Sequence, residues 1–217
     1  MDIVIVGAGG HGKVVLDILR ATGKHRVVGF LDADPSLTGT RVGDLPVLGN
    51  IHQIARLRQQ KVKGAVVAIG DNHVRLRYAA HLRQEGLELV SAIHPSAIIA
   101  PSASVGTNVV IAAGAVICAE ARLGDSVILN TNAVVEHECE VADGAHVCPT
   151  AALGGRVSVG RGAFLGLGAK LIPCISIGHG ATVGAGAVVI RDIPDGATAV
   201  GVPARVIKLA PPAANAA

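Results

Sequence analysis

From Ile99 to Val189 one aliphatic side chain returns at every sixth position: Ile99, Val105, Ile111, Ile117, Leu123, Leu129, Val135, and onward without a slip. Two residues ahead of it runs a column of small or β-branched residues, from Ala97 through Val109, Ala133 and Cys139 to Ala187. A period of six fits neither the 3.6 of a helix nor the alternation of a strand. It is the mark of a hexapeptide-repeat parallel β-helix, in which each hexad makes a short strand and a corner and three hexads close a lap of about 18 residues. Both columns then point inward and stack into one apolar prism. Glycine after the aliphatic residue, as at Gly106, Gly124, Gly154 and Gly160, is expected where a corner needs dihedrals that a Cβ opposes. About five laps at ~4.8 Å predict a rod roughly 24 Å long.

Residues 1–94 carry a different pattern. Asp2–Val6 reads as a buried strand, Gly7 to Gly12 as a tight turn, and Lys13 to Ala21 as a helix with apolar positions Val14, Val15, Ile18 and Leu19. Val27–Leu31 is a second strand, Ala65–Ile69 a third, and 51–60 and 72–85 are further helices. Strands alternating with helices predict a small parallel sheet, an α/β half-Rossmann (βαβαβ) domain. The expected organisation is therefore this domain at 1–94, a left-handed parallel β-helix at 95–192, and a C-terminal cap and tail at 193–217.

Composition sharpens the picture. With 217 residues the chain can bury a core in each of two domains. A prism lined by small residues explains two Phe, one Tyr and no Trp. No long apolar run or leader pattern is present, so a cytoplasmic location is expected. A net charge of +3, without Lys/Arg clusters or stacking aromatics, argues against a nucleic-acid partner. Cys118, Cys139, Cys148 and Cys174 contain no C-x-x-C pair and read as small packing residues, so no metal is expected.

Two stretches carry candidate chemistry. Gly7-x-Gly9-x-x-Gly12 follows a strand, opens a helix, and has Asp32 about twenty residues on, which satisfies the dinucleotide fingerprint. The domain is too short for both halves of an NAD site, and backbone N–H groups at a helix N-terminus suit any nucleotide diphosphate. A nucleotide-sugar is the expected ligand, with Gly9, Gly10, His11 and Asp32 around it. The second stretch is the polar run Asn130 to Glu140, followed by His146. His137 falls at a corner, with Gly155 one lap away, a plausible base beside a bare amide. His146 lies between inward residues and is expected to face outward. Being half a lap apart, His137 and His146 sit on different walls, and one shared site would need two rods side by side, as in a threefold ring.

The ordered tags Gly-Ala-Gly-Gly-His-Gly, Phe30-Leu31-Asp32, Ala68-Ile69-Gly70-Asp71-Asn72, Ile93-His94-Pro95-Ser96, Asn130-Thr131, Glu136-His137-Glu138-Cys139 and Gly201-Val202-Pro203-Ala204 resemble the sugar O-/N-acyltransferases of the hexapeptide-repeat class. The resemblance spans nearly the whole chain. It implies a homotrimer with sites between subunits, moving acetyl from acetyl-CoA to the C4 amine of a nucleotide-linked 4-amino-4,6-dideoxy sugar. It also implies residue roles: His137 as general base, Glu138 orienting it, Asn130 near the acceptor amine, and His146 and Gly155 at the acetyl group. Gly9, Gly10, His11, Asp32 and Gly70 match the nucleotide-sugar pocket. Leu167, Gly168 and Ala185 offer small-residue backbone along which pantetheine can lie, and Arg205 or Lys208 could meet the CoA phosphates. The only thiol beside His137, Cys139, belongs to an inward column, which favours direct transfer over an acyl-enzyme. Two alternatives share the rod: an O-acetyltransferase acting on a sialic acid-type sugar, and a non-catalytic hexapeptide binding protein.

Overall fold

The computed structural model describes residues 1–209; the end of the expected tail, 210–217, lies outside the described residues. The N-terminal unit is built from β1 (Asp2–Val6), α1 (Gly10–Thr22), β2 (Arg26–Leu31), a hairpin of β3 (Arg41–Val42) and β4 (Leu45–Pro46), α2 (Ile54–Gln59), β5 (Gly64–Val67), α3 (Asn72–Gln84) and β6 (Glu88–Leu89). Strands β2-β1-β5-β6 form one parallel sheet in that order. The hairpin and β6 were not legible in the hydrophobic pattern, being only two residues per strand. In α1 the buried face is Val15, Leu16, Ile18 and Leu19, while Val14 is exposed, so the stripe is rotated by about one residue from the expected one.

The remainder is a parallel β-helix of two-residue strands paired at a fixed offset, Val110 with Ile128 and Ile128 with His146. Its first wall runs from Ala92–Ile93 through His146–Val147 to Thr198–Gly201, its second from Ile98–Ile99 to Val188–Val189, and its third from Ser104–Val105 to Ser176–Ile177. The second wall has six strands, all within 95–192, and the first wall starts earlier, at Ala92, so the coil makes about six laps where about five were expected. Aliphatic and small columns merge into one continuous core, in which residues such as Leu129, Ala133, Val135 and Ala151 are wholly buried. Each such Val or Leu contributes about 1.5–3 kcal/mol relative to exposure.

The corner glycines do a different job from the one expected. From Val105 to Val183, positive φ falls three residues after the aliphatic position, at Gly114, Gly144 and Gly162 but also at Asn132, Glu138, Thr150 and Arg156. Gly160, directly after Val159, is required by close approach instead: a Cβ there would lie 2.6 Å from the backbone of Gly178 and His179 in the next lap. The period was correct, and the steric reason for the glycine was not.

The last lap tightens. Thr182 pairs with Thr198 and Ile177 bridges to Ile193, each an offset of 16, so two residues are lost from the corner after Val189. Ala204–Lys208 then folds back antiparallel on Thr198–Gly201, extending the first wall's sheet by one strand, with Ala204 packed on the core.

The three walls face different surroundings. Outward residues of the first wall, Val110 and Ile128, are buried against the α/β domain, in a cluster with Ile3, Val15 and Phe30. The third wall presents Ser104, Arg122, Glu140, Ser158 and Ser176 to solvent. The second presents Ile98, Val116, Val134, Ala152 and Val188, an apolar strip broken by Lys170.

Candidate active site

The turn between β1 and α1 makes one lip of a cleft of ≈ 490 Å³, lined by Gly9, Gly10, His11, Asp32, Gly70, Arg77 and Tyr78, among others. The two glycines have open space where a Cβ would stand, so nothing crowds the first N–H groups of α1. Gly7 and Gly12 are needed for packing: at φ 110°, a Cβ on Gly7 would meet Ala68 O at 2.6 Å, and one on Gly12 would run into Gly7 O. Asp32 turns out to be a builder of the cleft. Its carboxylate accepts from Ala8 N at 2.7 Å and from Asp34 N at 2.9 Å, locking the glycine turn against the end of β2. Arg77 and Tyr78, one turn into α3, were not foreseen. They lie on a weakly amphipathic helix, and only the packing of α3 across the sheet reveals which side of it faces the cleft.

His146 projects outward from the first wall, as the alternation required, but the α/β domain covers it to 8% exposure. Its ring meets Phe164 edge-on at 5.3 Å, and Asn130 Nδ2 approaches its Nε2 at 3.4 Å. Burial, with the charges of Arg75 and His11 adding to it, lowers its pKa to about 4. His11 is held down to about 4 by burial and by Arg75. Buried nitrogens on both rings, His11 Nε2 and His146 Nδ1, have no hydrogen-bond partner. The structure thus groups His146 with His11 and Asn130, under the α/β domain, and not with Gly155. Within one chain His146 and Gly155 stand apart, as their half-lap relation required, while the cover that the α/β domain lays over His146 was not foreseen by the outward alternation.

His137 lies on the corner that follows the second wall and is half exposed. Its Nδ1 bonds Glu138 Oε2 at 2.9 Å. Glu138 holds a left-handed φ of 58°, which turns its carboxylate back onto its neighbour. The ring then lies directly over Gly155, close enough that a Cβ on Gly155 would stand 2.5 Å from both Cε1 and Nε2. Cys139 is fully buried, with Sγ directed at Gly154 O at 3.1 Å, so it offers no nucleophile to this corner.

The corners also differ in what happens to the amide two residues past the aliphatic column. On the corner between third and first walls, side chains of the next lap cap it: Asp125 takes Thr107 N, Asp143 takes Asp125 N, and Asp195 takes His179 N. On the other two corners the equivalent amides of Gly155, Leu167 and Ala185 find no partner among the described residues. Gly155 shares a corner with His137; Leu167, Gly168 and Ala185 share the corner between first and second walls with Asn130. These two half-sites stand at opposite edges of the second wall, a span of roughly 15–20 Å at the strand rise. Arg205 lies on the returning C-terminal strand, its Nη1 donating to Ala204 O, and Lys208 ends that strand. Among the described residues no group of three His, Cys, Asp or Glu is placed to hold a metal ion, and no helix is long and apolar enough to cross a membrane.

Comparison with known proteins places this geometry. The family described as PglD N-terminal domain matches residues 2–82. A UDP-N-acetylbacillosamine N-acetyltransferase of Bacillus subtilis is 41% identical over 113 residues, 52% of this chain and 51% of that one, so the match spans about half the length of the curated relative. A histidine-to-asparagine mutant of perosamine N-acetyltransferase from Caulobacter crescentus, solved in complex with CoA and GDP-perosamine, superposes with a TM-score of 0.92 at 45% identity over 96% of this chain and 98% of that one. The acetyltransferase domain of PglB from Neisseria gonorrhoeae, in complex with acetyl coenzyme A, does so at 0.89 and 37% identity over 95% and 98%.

Proposed function

This chain belongs to the hexapeptide-repeat sugar N-acetyltransferase family, and on that premise we propose that it transfers acetyl from acetyl-CoA directly to the C4 amine of a nucleotide-linked 4-amino-4,6-dideoxy sugar. One observation carries the reading. The Nδ1 bond to Glu138 fixes the tautomer of His137 and leaves its Nε2 free above Gly155. An amine attacks a thioester only as the free base. As its nitrogen bonds the acetyl carbon, a proton must leave it, and a neutral imidazole at hydrogen-bond distance takes that proton. The thioester carbonyl becomes an oxyanion in the same step, and the unpaired amide of Gly155 is the donor beside it. The tetrahedral intermediate then collapses by breaking the carbon–sulfur bond, and CoA leaves as the thiolate that receives a proton.

The nucleotide diphosphate belongs over Gly9 and Gly10 at the N-terminus of α1, where dipole and free N–H groups favour negative charge. His11 and Gly70 line the same cleft toward the coil. Pantetheine runs along the uncapped amides of Gly155, Leu167 and Ala185. Because those amides occupy two corners of one chain, the complete site joins His137 of one copy to the Asn130 corner of a neighbour, and the apolar second wall is the surface that brings copies together. A homotrimer closes such a heterologous contact with no open end. The enzyme is expected in the cytoplasm, where acetyl-CoA is supplied.

The test is thiol release from acetyl-CoA in the presence of UDP-, GDP- and dTDP-linked 4-amino sugars, with 4-hydroxy sugars and sialic acid as controls. Release that depends on the amino sugar is expected. Release with the hydroxy acceptors alone would assign an O-acetyltransferase, and release with none would refute the activity.

A further inference from the structure

Arg75 is the largest side chain that is completely buried, at 0% exposure, and no sequence motif points to it. Among the described residues no carboxylate hydrogen-bonds it. Its Nε donates to Ser126 O at 2.8 Å, one terminal nitrogen to Ile69 O and Gly70 O at 2.9 and 3.1 Å, and the other to Asn72 Oδ1 and Gly144 O, each at 2.8 Å. A guanidinium presents five N–H donors in a rigid plane, and here all of them end on uncharged oxygens. Burying a cation on such terms is costly, and burial accordingly lowers its pKa to about 10. A chain that only needed to fill this volume would do so better with an apolar residue.

The oxygens it selects explain the arrangement. Ser126 and Gly144 occupy the same corner position on successive laps, and the next lap's Gly162 offers its carbonyl to Asn72 Nδ2 at 2.9 Å. On the lap before, Asn108 takes Val67 N at 2.8 Å. Four stacked laps thus grip the segment from the end of β5 to the first turn of α3. That segment contains Ile69 and Gly70, which form one lip of the substrate cleft. Arg75 donates to both the lip and the coil from one guanidinium.

We propose that Arg75 is a positioning residue, whose buried guanidinium ties the Ile69–Gly70 lip of the nucleotide-sugar cleft to the coil corners at Ser126 and Gly144 and so fixes the height at which the acceptor sugar meets the acetyl group. This rests on the nucleotide-sugar reading of the cleft given above. Lysine at this position keeps the charge but reaches one direction at a time, so it cannot hold lip and coil together.

Arg75→Lys and Arg75→Met are compared with the unaltered protein in steady-state kinetics and in backbone hydrogen exchange. For Arg75→Lys the KM for the nucleotide-sugar is expected to rise about tenfold, the loss of one or two charge-assisted hydrogen bonds, while the KM for acetyl-CoA stays within about twofold. Amides of residues 69–74 are expected to exchange faster, while those of the coil do not. Should Arg75→Met prove insoluble, Arg75→Lys alone decides. Unchanged nucleotide-sugar KM, an equal rise in both KM values, or exchange that quickens uniformly across the coil would overturn the proposal and leave Arg75 a structural residue. If the unaltered protein acetylates no nucleotide-linked amino sugar, the proposed function fails, whereas the exchange measurement needs no ligand and still judges the tie between lip and coil.

Discussion

Gly155→Ala is the sharpest perturbation the structure offers. An added Cβ would stand 2.5 Å from Cε1 and Nε2 of His137 and 3.1 Å from Cδ2, where ordinary contact needs about 3.5 Å. The imidazole therefore has to retreat by roughly 1 Å, and a displacement of that size at a reacting centre costs about 10²-fold in turnover. Stability should hardly change. The backbone of Gly155 is not in the left-handed region, so alanine is unstrained there, and the ring it pushes is half exposed and free to swing outward. The Gly155 amide itself survives the substitution, so the loss is assigned to the base and not to the oxyanion donor. The assay is acceptor-dependent thiol release, read alongside a thermal melt. A kcat within about threefold of the unaltered enzyme would refute the placement of His137 as the base. A lowered melting temperature accounting for the whole loss would refute the steric argument.

Other expectations follow from the same coordinates. His137→Ala should lose about 10²–10⁴ in kcat with a nearly unchanged melt, since the half-exposed ring lies only over the corner glycine Gly155, and acceptor-dependent thiol release measures it. His146 titrates near 4 in the folded chain and near 6.5 when unfolded, so below pH 6.5 the unfolded state binds the extra proton. Its contribution is complete above pH 6.5 and is lost as pH falls toward 4, up to about 3 kcal/mol, and denaturant midpoints in His146→Asn should show a correspondingly flatter pH dependence across that window. Val116→Glu puts a charge in the middle of the outward second wall; light scattering should show a drop from trimer to monomer with activity lost, and an intact active trimer would exclude this wall as the interface.

Legibility in the sequence followed the range of the interactions. Sixfold recurrence is a local pattern imposed by a core that every lap shares, so the lap length, the inward columns and the orientation of Cys139 could all be read directly. The corner holding His137 and Gly155 was readable for the same reason, being related by one lap. What escaped notice was non-local. Which wall the α/β domain covers, and hence the burial of His146, depends on docking between units that share no periodicity. Arg75 looked like an ordinary polar residue at the start of a surface helix, and its role, with that of Asn72, appears only when the coil carbonyls of Ser126, Gly144, Gly162 and Ala163 are seen to face them. The glycine rule failed on a finer point, since close approach between laps and positive φ demand the same residue type at positions two residues apart.

The account depends on two half-sites at opposite edges of one wall meeting across copies of the chain. Mixed trimers test this most directly: His137→Ala, which lacks the base, is unfolded and refolded with Ala185→Trp, which blocks the pantetheine edge, each inactive alone. If the halves come from neighbouring subunits, random mixing restores an unimpaired pair at about one interface in four, and thiol release should recover to about a quarter of the unaltered rate. Recovery no greater than the sum of the two parents would mean that both halves serve one subunit, and would contradict the account.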